Sequence, residues 1–109
     1  MKRLRPIELG PWDYTRENYT TSLWIAEGLT SYYGDLSLAR AGLYSEPDYL
    51  GALADEVAML ENSPGRAAMS LERSSLDTWL YLAVRPRQRT NAGQTTISYY
   101  NKGEIVGAL

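Results

Sequence analysis

Ile25, Leu29, Tyr32, Leu36, Ala39 and Leu43 follow one another at steps of 4, 3, 4, 3 and 4. That alternation is the repeat of one helix face, and the two-residue repeat of a strand cannot produce it. It predicts a first helix over about residues 20–41, with these six side chains as its buried stripe. Gly42 is a suitable stop, because glycine takes the left-handed conformation at a helix end without steric cost. Gly28 and Gly34 fall inside the helix. Each costs about 1 kcal/mol relative to alanine, so each needs a packing or functional reason to be there.

The rest of the chain reads as helical too. Ser45, Pro47 and Asp48 make a helix start, and Leu50, Leu53, Val57 and Leu60 make its stripe. Asn62-Ser63-Pro64-Gly65 ends it. A shorter helix is predicted from about Ser75 to Ala83, on Leu76, Trp79, Leu80 and Ala83. Residues 86–95 read as a polar loop. A last helix is expected to begin near Thr96 or Ser98 and to be apolar at its end, at Ile105, Val106, Ala108 and Leu109. The segment Thr95-Thr96-Ile97-Ser98-Tyr99-Tyr100 has the composition of a strand and no partner to pair with. Residues 1–17, with Pro6, Gly10 and Pro11, read as an extended lead-in, and 18–109 as one helical unit. The expected fold is all-α, with about four helices.

Composition narrows the chemistry. The 109 residues include no cysteine and no histidine. Disulfides, thiolate metal sites, a cysteine nucleophile, a histidine base and a complete His-ligated zinc site are therefore excluded within the chain. Eleven basic and thirteen acidic residues leave a net charge of −2. No nucleic-acid or anionic-membrane partner is expected from that balance. No apolar run approaches the ~20 residues of a membrane span. Met1-Lys2-Arg3-Leu4-Arg5-Pro6 is not expected to be a signal peptide, having no apolar stretch behind it. The compartment stays open. Nine tyrosines and three tryptophans stand against no phenylalanine, a choice that suits half-buried walls with a polar end to satisfy.

Glu27 lies two positions from Ile25, roughly 200° around a helix and off the apolar stripe. Trp24, Thr30, Ser31 and Gly34 share its face, and the small ones leave room for a ligand or another chain element. Taken from spacing alone, Glu27 reads first as an ordinary solvated glutamate, since surface glutamate is the norm. Tyr100, opening the last helix beside Lys102, could donate to a developing oxyanion or simply pack. Asp13 and Glu17 could join Glu27 as a carboxylate group, although no spacing forces them together. Arg85, Arg87 and Arg89 make a basic loop that could hold phosphate or be merely solvated. Asn18-Tyr19-Thr20 is a formal N-glycosylation triplet at a helix entrance.

Two segments carry a family resemblance. Leu23-Trp24-Ile25-Ala26-Glu27-Gly28-Leu29-Thr30-Ser31-Tyr32-Tyr33 resembles the W-x-x-E-G-x-x-x-Y segment of gluzincin (thermolysin-like) metallopeptidases. Ile97-Ser98-Tyr99-Tyr100-Asn101-Lys102-Gly103 resembles their Y-x-K-G segment. Lys2-Arg3-Leu4-Arg5-Pro6, Leu9-Gly10-Pro11, Asp13-Tyr14 and Glu17-Asn18-Tyr19-Thr20 narrow the likeness to the glycyl aminopeptidases, proteases often bearing a C-terminal PDZ domain. The resemblance covers nearly the whole chain but lacks the family's HExxH motif.

The resemblance implies the helical part of a thermolysin-like catalytic domain. The chain is then expected to be a fragment whose parent is a zinc aminopeptidase for small N-terminal residues, acting on peptides. Glu27 is implied as the third zinc ligand and Tyr100 as the oxyanion-stabilising residue, with Tyr99 the alternative by one position. Zinc is expected in the parent and not in this chain, which should be inactive alone and should self-associate through exposed apolar surface. The alternative is a non-catalytic helical interaction module. If one site holds Glu27 and Tyr100, the first and last helices must lie side by side, aided by Gly28, Gly34, Gly103 and Gly107. The two groups are then expected several ångströms apart.

Overall fold

The structure, a computed structural model, describes residues 5–81, 91 and 94–109. After a short 3-10 turn at Ile7–Leu9, the chain enters a π-helical turn at Trp24–Gly28, which runs directly into α1, Leu29–Arg40. Helices α2 (Glu46–Glu61), α3 (Gly65–Ala68), α4 (Leu71–Tyr81) and α5 (Tyr99–Ala108) follow. No strand occurs among the described residues, and the strand-like segment before α5 leads into that helix instead. The fold is all-α, as expected. None of the described helices is long and apolar enough to cross a membrane.

Helix ends follow the local chemistry. Ser45 Oγ accepts the Asp48 amide at 3.2 Å and Pro sits in the first turn of α2, which ends at Asn62. Ser98 Oγ accepts the Asn101 amide at 3.3 Å and starts α5. α1 ends in a Schellman motif: the Leu43 amide donates to Leu38 O at 2.9 Å and the Gly42 amide to Ala39 O at 3.0 Å. Gly42 has φ +72°, the left-handed value this motif needs.

The regular stripe expected for the first helix does not hold. Ile25 is 45 % exposed and Leu43 73 %. A π turn accommodates one residue more than an α turn, so the 3.6-residue phase of α1 is not continued back to Ile25. The α2 stripe is likewise only half covered, with Leu50 and Val57 exposed. α4 begins four residues earlier than expected, α3 was not anticipated, and Leu80 is exposed. Asn91, Gln94 and Thr95 are helical, so the polar stretch before α5 is not all loop. Ala83, Arg85, Arg87 and Arg89 lie outside the described residues.

The centre of the fold is the crossing of α5 with the π turn, continued along α1. Two glycines bring the backbones together. A Cβ on Gly28 would lie 2.6 Å from Gly103 Cα, and one on Gly103 would lie 2.8 Å from Trp24 O. Gly107 opens the next contact, against Leu29 and Tyr32. Gly34 meets nothing within 4 Å and plays no part in this approach.

Polar groups do much of the remaining work inside. Ser75, fully buried, accepts the Trp24 amide at 3.1 Å and donates to Leu71 O at 2.9 Å, tying α4 to the π turn. Trp79 Nε1 donates to Thr20 O at 3.2 Å. Asn101 Nδ2 donates to Glu56 O at 2.8 Å and joins α5 to α2. Among the described residues, Leu23 is the one buried hydrophobic side chain.

Candidate catalytic cleft

Glu27 sits in the π turn, not in a regular helix. π turns recur at functional sites because they re-aim one residue relative to the α register. The turn is braced from within: Thr30 Oγ1 donates to Ala26 O at 2.5 Å and Ser31 Oγ to Glu27 O at 3.1 Å. Such hydroxyls bond the carbonyl one turn back and favour local departures from α geometry. The Gly28–Gly103 contact then sets the turn against the start of α5, which carries Tyr99 and Tyr100.

The result is an open cleft of about 530 Å³ lined by Glu27, Thr30, Ser31, Gly34, Asp35, Tyr100 and Glu104. Glu27 and Tyr100, 73 positions apart in sequence, thus share one wall system. Thr30, Ser31 and Gly34, the small residues on the Glu27 face, line it with them.

The charges are one-sided. Glu27 Oε2 is buried and has no hydrogen-bond partner. The phenols of Tyr99 and Tyr100 both lie beside this carboxylate. Burial, and then Glu27 as acceptor, raise the Tyr99 pKa; Glu27 as acceptor, and then burial, raise that of Tyr100. Both phenols therefore remain protonated donors at neutral pH. No described Lys or Arg pairs with Glu27, and the phenols of Tyr99 and Tyr100 are the polar groups whose pKa it raises. The two rings pack 4.7 Å apart and divide the space: Tyr100 lines the cleft, 46 % exposed, and Tyr99 stands behind it.

Glu104 was not anticipated, although its place four residues after Tyr100 puts it on the same helix face. It is 9 % exposed. Burial raises its pKa first, and the carboxylates of Glu56 and Asp35 raise it further. Lys102, also on α5, points elsewhere: Nζ donates to Arg66 O and Met69 O at 3.3 Å each, closing the end of α3. Asp13 and Glu17 are not part of the cleft. Asp13 pairs with Arg16 at 2.8 Å, and Glu17 accepts the Tyr19 hydroxyl. Asn18 turns its amide back to Asp13 O at 2.9 Å.

Zinc is the group the resemblance implies. A buried carboxylate oxygen without a partner, facing a cleft, suits one position of such a centre. No group of three ligating side chains occurs among the described residues, and histidine and cysteine are absent from the sequence. A zinc centre at this cleft would take Glu27 from this chain and any histidine ligand from outside it.

An all-helical unit with a glutamate and tyrosines at a glycine crossing is what the peptidase resemblance implies. The family model of the M61 glycyl aminopeptidases matches residues 1–106, and the chain belongs to that family. It is also similar to a solved aminopeptidase N family protein from Idiomarina loihiensis. The two share 34 % identity with a TM-score of 0.82 over 94 % of this chain. The chain spans 17 % of the length of that protein. No curated protein matches it.

Proposed function

We propose that this chain is the part of a zinc aminopeptidase catalytic domain that carries the glutamate ligand and the oxyanion donor. One observation carries the reading: Glu27, with an unpartnered buried oxygen, and Tyr100, a protonated phenol, line the same cleft. Glu27 is the metal ligand. Tyr100 presents its O–H to the oxygen that becomes negative when the scissile carbonyl is attacked. A preorganised donor of this kind acts on charge that develops only in the transition state. Tyr99, behind it, holds the Glu27 carboxylate. When bound, zinc supplies a Lewis acid and lowers the pKa of water at the site.

The substrate on this reading is a peptide with a small N-terminal residue, in keeping with the family's description. Thr30, Ser31 and Gly34 give the cleft a lining of small side chains. Without histidine the chain cannot assemble the family's three-ligand site, so we expect it to be inactive alone and to bind no stoichiometric zinc at micromolar affinity. Ile25, Tyr33, Leu50, Met59 and Val106 are exposed, which supports self-association of the isolated chain.

The test uses the full-length protein that contains this segment. Glu27→Gln should lose zinc and activity together. Tyr100→Phe should keep the zinc and lower kcat by about 10²–10³-fold, the usual cost of one oxyanion donor. Equal zinc loss in both variants, or full activity in either, refutes these roles.

A further inference from the structure

We infer that Gly34 is a specificity-determining residue: by carrying no side chain it keeps the far end of the cleft open to the part of a peptide substrate that lies beyond the bond being cut. The inference rests on the peptidase reading above and extends it to the substrate class, oligopeptides rather than single-residue amides.

Gly34 lies inside α1, where glycine costs stability relative to alanine, so its presence needs a reason. The reasons that hold at the helix crossing fail here. Gly28 and Gly103 bring two backbones together, and Gly107 makes room for Leu29 and Tyr32. A Cβ on Gly34 would meet nothing within 4 Å, and its backbone is not left-handed. Gly51 in α2 is just as open, but it does not line this cleft. Gly34 does. What a side chain at position 34 would take is therefore cleft space.

The run of the cleft says which part of a substrate that space serves. Glu27, Thr30, Ser31, Gly34 and Asp35 line it in one row along the π turn and α1. Glu27 marks the reactive end, with Tyr100 beside it. Gly34 comes two turns later, about 10 Å further along the helix axis. An extended peptide advances about 3.4 Å per residue, so that distance corresponds to about three residues of substrate. An aminopeptidase leaves a single residue on the amino side of the scissile bond, and one small residue does not reach that far. The chain that reaches it is the one on the carboxyl side. Gly34 thus stands where the second or third residue after the scissile bond passes, and a bulky side chain there would collide with it.

The experiment uses the full-length protein with Gly34→Leu and Gly34→Ala, and Gly51→Ala as the control. The ratio kcat/KM is measured for glycine p-nitroanilide and for glycine-headed peptides from dipeptide to hexapeptide. We expect Gly34→Leu to lower kcat/KM for tetrapeptides and longer about tenfold more than for the anilide, chiefly through KM, with zinc content kept. Gly34→Ala should shift the same preference in the same direction by less, and should melt no lower than the wild type. Gly51→Ala should leave the preference as it is. An equal loss on anilide and long peptides in Gly34→Leu, or no loss on either, overturns the inference. So does a lowered melting temperature or zinc content in Gly34→Ala, because another segment of the protein then packs on Gly34. Should Gly34→Leu not fold, Gly34→Ala decides, and an unchanged preference there overturns the inference equally. Each of these failures leaves the roles of Glu27 and Tyr100 standing. If instead Glu27→Gln keeps its zinc and activity, the peptidase reading has failed, and this inference falls with it.

Discussion

Helix α2 and the crossing of α5 with the π turn are built on opposite terms. α2 has a serine cap, a proline in its first turn and an apolar row at helical spacing, yet Leu50, Val57 and Met59 on it are exposed. The crossing has a π turn, two glycines in backbone contact and buried polar side chains, and it holds the candidate site. Local regularity secures a helix. A site needs a carboxylate and a phenol from distant parts of the chain in one place, and that depends on how closely two backbones can approach.

The sharpest way to break this comparison is to add one methyl group to each region. Gly28→Ala places a carbon 2.6 Å from Gly103 Cα, where only backbone movement can relieve it. We expect a loss of about 3 kcal/mol, the upper end for overpacking. Gly51→Ala in α2 meets nothing within 4 Å and should stabilise by about 0.5–1 kcal/mol through chain entropy. Denaturant unfolding of the two variants checks this. If both shift in the same direction, the contrast between the regions is wrong.

Two serines sharpen it further. Ser75→Ala leaves the Trp24 amide without its buried acceptor and should cost about 1–3 kcal/mol. Ser45→Ala removes an exposed helix cap and should cost about 1 kcal/mol. A larger loss for Ser45→Ala than for Ser75→Ala would mean that α2, not the crossing, carries the fold.

The smallest effect is in pH. The Glu104 carboxyl is raised above its ordinary value by burial and by Glu56 and Asp35. The folded state therefore binds this proton more tightly than the unfolded state. Stability is fully present below the unfolded pKa and declines as pH rises to the raised folded value. Thermal melts across the acidic range should show Glu104→Gln gaining on the wild type as pH increases. Parallel curves for the two would show that Glu104 carries no such penalty.

Much of this molecule is legible in its residues. Ser45, Gly42 and Ser98 specify helix ends because capping is a matter of a few neighbouring atoms. The absence of histidine and cysteine limits the metal chemistry whatever the fold. Glu27 and Tyr100 stand out in segments whose likeness to a peptidase family is local in sequence. Glu104 was legible too, one turn after Tyr100, but its burial was not.

What only the tertiary structure decided is how those pieces meet. The π turn overrode the 3.6-residue phase, so Ile25, first in the apolar row, faces solvent while Glu27 turns to the cleft. Gly28 and Gly103 became a contact, and Gly34, identical in sequence terms, did not. Lys102 went to the end of α3 rather than to Tyr100. Caps and periodicity are short-range, so the sequence determines them almost alone. The depth of a helix crossing depends on backbone atoms 75 residues apart, from Gly28 to Gly103, and no local pattern encodes which pair will touch.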